Sequence, residues 1–139
     1  MAKNIAVIYS EFNSEITSKM LMRAKTLCRN YGFNIAFEAL VPGVYDMPVF
    51  IKKALQTEGI EGVVLLGAVV KGETAHDRIV VENTARKAAD LSVEFGKPVT
   101  LGIIGPDASG EKANARADEY TSKAVKALHE ILKELERLC

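Results

Sequence analysis

Four short apolar runs, Ile5–Tyr9, Ile35–Val41, Val63–Val70 and Val99–Ile104, alternate with segments whose apolar residues recur at helical spacing. Runs of this length, predominantly apolar, read as buried strands. A sheet of such strands needs a layer on each side. Strand and helix in strict alternation supply both layers when the sheet is parallel and its crossovers are right-handed. The chain therefore reads as α/β, a doubly wound parallel sheet of four strands.

The intervening segments carry their own punctuation. The first helix is expected from Asn13 or Ser14, either a suitable N-cap, with Ile16, Met20, Ala24, Leu27 and Tyr31 on one stripe until Gly32 ends it. A short second helix opens at Asp46, takes Pro48 in its first turn and turns Val49, Phe50, Ala54 and Leu55 inward. The third is expected to begin at Thr74, paired with Asp77 in a capping box. It then runs through Val81, Ala85, Ala88, Leu91 and Phe95 to a stop at Gly96 and Pro98. The fourth and longest repeats Ala117, Tyr120, Ala124, Leu128, Ile131, Leu135 and Leu138, with lysines and glutamates filling its other face.

With 139 residues and no internal repeat or linker, residues 1–139 are expected to form a single domain. Eighteen basic residues balance eighteen acidic ones, so there is no net field to hold nucleic acid or an anionic membrane, and neither is expected as a partner. No apolar run approaches the ~18–20 residues of a membrane span. The start, Met1-Ala2-Lys3-Asn4, lacks a signal-like apolar stretch, and the two cysteines, Cys28 and Cys139, lie far apart, so a soluble cytoplasmic protein is expected. Cys28 falls within a helix and Cys139 is terminal, which makes neither a candidate nucleophile.

In open parallel sheets, ligands bind beyond the carboxyl ends of the strands, where helix N-termini point free N–H groups into a crevice. The exits here are Ser10 to Asn13, Val41 to Asp46, Gly67 to Asp77 and Gly105 to Asp107. Their mixture of apolar or aromatic side chains with turn residues suits a flat heterocycle. The third exit is similar to a nucleotide-phosphate loop, but Glu73 occupies the lysine position and would repel a triphosphate. A smaller anion fits better. The N–H groups of Glu73 and Thr74 are unpaired at a helix start, where the macrodipole amounts to roughly half a positive charge. His76 in the same turn is suited to accepting and returning a proton, or else simply bonds a neighbour. A metal is not expected, since His129 lies far along the chain and His76 with Asp77 is too small a ligand set. Phe12 either stacks on a ring or plugs the crevice; Asp46 is an N-cap or, with Tyr45, faces the ligand. Arg116 and Lys123 either reach a phosphate or form a solvated helix face.

Taken together, Glu11-Phe12-Asn13, Val41-Pro42-Gly43-Val44-Tyr45-Asp46-Met47-Pro48, Gly72-Glu73-Thr74-Ala75-His76-Asp77 and Pro98-Val99-Thr100-Leu101-Gly102 resemble the lumazine synthase family in its short archaeal type. The resemblance spans nearly the whole chain and implies a three-layer αβα, flavodoxin-like fold. It implies that Phe12 stacks on a pyrimidine substrate, that Val44, Tyr45 and Asp46 hold its ribityl chain and ring edge, and that Ala68, Val69 and Val70 line the ring pocket. Glu73, Thr74 and Arg116 would receive the phosphate of a four-carbon ketose substrate, and His76 would be the proton donor. Leu101 stands where many bacterial members place a phenylalanine from a neighbouring subunit. The implied partners are thus two small-molecule substrates, with no cofactor and no metal. The implied assembly is a homo-oligomer with active sites at subunit interfaces, either a pentamer or an icosahedral shell of twelve pentamers. Two other readings stay open at this point: an archaeal-type riboflavin synthase, and a non-catalytic module that binds flavin or lumazine.

Overall fold

A computed structural model, which describes residues 2–72 and 74–139, gathers the four apolar runs into one sheet. Its strands are β1 (Lys3–Ser10), β2 (Phe33–Val41), β3 (Ile60–Val70) and β4 (Val99–Ala108), ordered β2-β1-β3-β4, with every neighbouring pair parallel. Between them run the helices α1 (Ser14–Tyr31), α2 (Met47–Gln56), α3 (His76–Phe95) and α4 (Gly110–Leu138). Alternate residues of the central strands β1 and β3 feed two cores, which is why these two are apolar along most of their length. The edge strand β2 is not buried throughout as expected and alternates exposed Asn34, Glu38 and Leu40 with half-buried residues. Ile5 and Val7 of β1, with Val64 and Leu66 of β3, pack under α1 and α4 around Met20, Ala124 and Leu128. Ala6 and Ile8, with Val63 and Leu65, face α2 and α3 through Met47, Ile51, Leu55 and Ala88. The result is the flavodoxin-like three-layer arrangement. Its winding reverses between β1 and β3, and that reversal opens a crevice at their carboxyl ends.

Several details depart from the sequence reading. In α2 the buried residues are Met47, Ile51, Ala54 and Leu55, while Val49 is 70% exposed. A 3-10 turn over Val44–Asp46 precedes the helix and sets this rotation, so Met47 rather than Val49 begins the inward stripe. The third helix begins at His76, not Thr74, and the capping box does not form as expected. Thr74 Oγ1 accepts the His76 N–H at 3.3 Å, and Asp77 turns its carboxylate toward β4 instead. Residues Gly105 to Asp107 are not an exit loop but part of β4, which shifts register and pairs Ala108 with Val70. In the last helix the fully buried stripe closes at Leu132, and Ile131, Leu135 and Leu138 are exposed rather than buried as expected.

Candidate active site

At the switch point the exits of β1 and β2 are tied by backbone bonds, Glu11 N–H to the Val41 carbonyl at 2.7 Å and Phe12 N–H to the Pro42 carbonyl at 3.1 Å. This fixes the Phe12 ring over Gly43. A Cβ at Gly43 would come within 3.1 Å of Phe12 Cδ2, so glycine there leaves room for the aromatic. Asp46 Oδ2 accepts the Gly43 N–H at 3.0 Å and closes the 3-10 turn, while the Val44 carbonyl accepts from Thr84 Oγ1 of α3 at 2.9 Å. Asn13 occupies the N-cap position of α1 in left-handed backbone, φ 63°, and makes no side-chain cap. Its amide donates instead to the Ala68 carbonyl of β3 at 2.7 Å, bridging the crevice. Asparagine is among the few residues that tolerate this backbone, and that tolerance is the signal by which sequence could have found it.

These contacts enclose a cavity of about 380 Å³ whose lining includes Phe12, Asn13, Val44, Tyr45, Asp46, Ala68, Val69, Val70, His76 and Val80. Eight of the residues singled out from sequence therefore share one cavity, although they come from four separate strand exits and helix starts. Aliphatic walls, an open aromatic face at Phe12 and a carboxylate at Asp46 suit a flat ring with a polar edge. The floor holds Ser10, whose buried Oγ has no hydrogen-bond partner among the described residues. Gly67 lets the 3-10 turn rest on β3, for a Cβ there would lie 2.6 Å from Val44 Cγ2. Sequence reasoning missed Ser10, Asn13, Val80 and Thr84: Asn13 and Thr84 act through partners on distant elements, and Ser10 and Val80 enter the lining only once strands and helices are packed.

Other residues of interest lie outside this cavity. Leu101 sits on the edge strand β4 and is 45% exposed, and Arg116 lies on the exposed face of α4; neither lines the cavity. Thr74 is exposed beside the start of α3, and Glu73 lies outside the described residues. Lys123 pairs with Glu119 along its own helix at 3.0 Å. Asp77, 4% exposed, accepts the Asp107 N–H at 2.9 Å. That bond holds its carboxyl below the ordinary carboxylate range, helped by the N–H groups of Arg78 and Asp77 and by the Lys71 charge, against the opposing effect of burial. Burial pushes the Cys28 thiol up to about 11, so it stays protonated. Among the described residues no three His, Cys, Asp or Glu side chains gather to hold a metal ion.

A larger groove of about 690 Å³ lies at the opposite pole, where the Tyr31 and His129 rings stack 4.6 Å apart beside Phe33. It stands at the amino ends of the strands, away from the converging helix N-termini, and it holds none of the candidate site residues. No described helix is long and apolar enough to cross a membrane.

The model of the 6,7-dimethyl-8-ribityllumazine synthase family matches residues 2–138. Similar proteins carry that same name. One from Sulfolobus acidocaldarius is 50% identical over 135 residues, covering 97% of this chain and 85% of the relative. Another, from Saccharolobus solfataricus, is 46% identical over 96% of this chain and 87% of its own length. A third, from Pyrobaculum arsenaticum, is 46% identical over 88% of this chain and 82% of its own.

Proposed function

Because the chain belongs to the 6,7-dimethyl-8-ribityllumazine synthase family, we propose that the crevice between the ends of β1 and β3 is where it carries out that synthesis. The enzyme is a transferase of riboflavin biosynthesis. It condenses 5-amino-6-(D-ribitylamino)uracil with 3,4-dihydroxy-2-butanone 4-phosphate; the 5-amino group attacks the ketone, an imine forms with loss of one water, phosphate is eliminated, and the ring closes with loss of a second water. Each step moves protons and electron pairs only, so the proposed chemistry calls for no cofactor.

The observation that carries the assignment of the site is that Phe12 and His76 line one cavity. In this reading the pyrimidine stacks on Phe12 and lies between Val44 and the Ala68-Val69-Val70 exit, with Tyr45 and Asp46 at its ribityl chain and ring edge. The ester phosphate sits at the start of α3, at the backbone of Glu73 and Thr74, and Arg116 completes its charge balance. His76 passes protons during imine formation and elimination. Leu101 and Arg116 lie outside the cavity formed by their own chain, which supports a site completed by a neighbouring copy, in a pentamer or a shell of pentamers. The cytoplasm is the proposed compartment.

The direct test is to mix the purified protein with both substrates and follow the rise of lumazine absorbance. Absence of product would remove the assignment, and formation of riboflavin from lumazine alone would replace it with a riboflavin synthase.

A further inference from the structure

The proposed phosphate-binding mouth is fastened from outside the cavity, by the tail of β4. Before the mouth, the Lys71 N–H donates to the Ala108 carbonyl at 2.7 Å, and Lys71 Nζ lies 3.6 Å from Asp107 Oδ1. After it, Asp77 Oδ2 accepts the Asp107 N–H at 2.9 Å, and Arg78 Nη2 reaches Asp107 Oδ2 at 2.7 Å. Asp107 thus touches both flanks of the stretch that carries Thr74 and His76. To do so it adopts left-handed backbone, φ 65°, which few residues other than glycine occupy. An aspartate in the first turn of a helix needs only to face solvent to favour the helix dipole. Asp77 instead is buried and spends its oxygen on a strand 30 positions away, a placement the dipole does not require.

The geometry points to Asp77 and Asp107 as a positioning pair that sets the register of the helix mouth and, through it, affinity for the phosphate-bearing substrate. This rests on the proposed function. Neither residue lines the cavity, and Asp77 turns its carboxylate toward the Asp107 N–H rather than into the crevice; they act by holding Thr74 and His76, where a displacement of about 1 Å is enough to cost much of an oriented interaction.

The test compares Asp77→Ala, which removes the acceptor, with Asp77→Asn, whose amide oxygen still accepts, and Asp107→Gly, which keeps the backbone but deletes the carboxylate. In Asp77→Ala the KM for the ketose phosphate should rise about tenfold while that for the pyrimidine stays within about twofold, and Asp77→Asn should restore most of the loss. Asp107→Gly should shift the same KM in the same direction by roughly threefold. Amide exchange at positions 72 and 74 to 76 should quicken in Asp77→Ala and Asp107→Gly, with β1 and β3 unchanged. Equal movement of both KM values, or movement of neither, overturns the inference. If Asp77→Ala does not fold, Asp107→Gly decides. If the wild type makes no lumazine, the proposed function fails separately, and exchange alone decides: quickened exchange at the mouth upholds the pair, and unchanged exchange overturns it.

Discussion

The proposed mechanism asks different things of His76 and Arg116. Holding two reactants together supplies up to roughly 7–11 kcal/mol in well-oriented cases, and proton shuttling adds a smaller share on top. His76→Ala is therefore expected to lower kcat by about ten- to a hundredfold without abolishing turnover. Arg116→Ala should chiefly raise the KM for the ketose phosphate, and steady-state kinetics on both variants separates the two roles. At Asp77 the depressed carboxyl carries a pH signature. A group whose pKa is lower in the folded chain stabilises it above its unfolded value, about 3.9, and that contribution is lost as pH falls through the folded value. With the N–H groups of Asp107 and Arg78 and the Lys71 charge favouring its carboxylate, wild type should melt higher than Asp77→Asn at neutral pH. The gap should close below about pH 4, as thermal melts between pH 3 and 7 would show.

Elements are brought together at the site by small residues as well as by hydrogen bonds. The 3-10 turn over Val44–Asp46 approaches β3 closely because Gly67 has no side chain, and Thr84 of α3 holds the turn from behind. Gly67→Ala would place a methyl 2.6 Å from Val44 Cγ2 and 3.1 Å from Ser10 Oγ. Overpacking of this kind costs about 1–3 kcal/mol and displaces the softer partner, here the turn. Urea unfolding should register that loss, and the KM for the pyrimidine should rise while that for the phosphate substrate changes little. Unchanged pyrimidine affinity would show that the turn does not shape the ring pocket.

The two sheet edges define what the whole molecule offers a neighbour. Leu40 on β2 is 51% exposed and Leu101 on β4 is 45% exposed, so apolar side chains stand at opposite edges of the sheet, two separate patches that the proposed ring of copies could join. Leu101→Glu is expected to lower the assembly state seen by sedimentation and to reduce activity with it, while circular dichroism keeps the folded signature. A variant that stays assembled and fully active would separate Leu101 from the shared site.

By itself, the sequence determined the number and order of the strands and α-helices, though not the 3-10 turn at Val44–Asp46, because apolar periodicity is local and each of the longer elements declares itself within its own segment. It also marked Phe12, Val44 to Asp46, Ala68 to Val70 and His76, since parallel sheets place ligands at strand exits and those exits are contiguous in the chain. Only the tertiary structure decided how the exits meet. The start of α3 falls at His76, with Asp77 bonded to Asp107 of β4, and β4 runs on to Ala108, which pairs with Val70. Asn13 is likewise a bridge to Ala68 rather than a cap for α1. A side chain able to bond either its own helix or a distant strand takes whichever partner strand register brings within about 3 Å, and register is set by the packing of both cores, not by neighbouring residues.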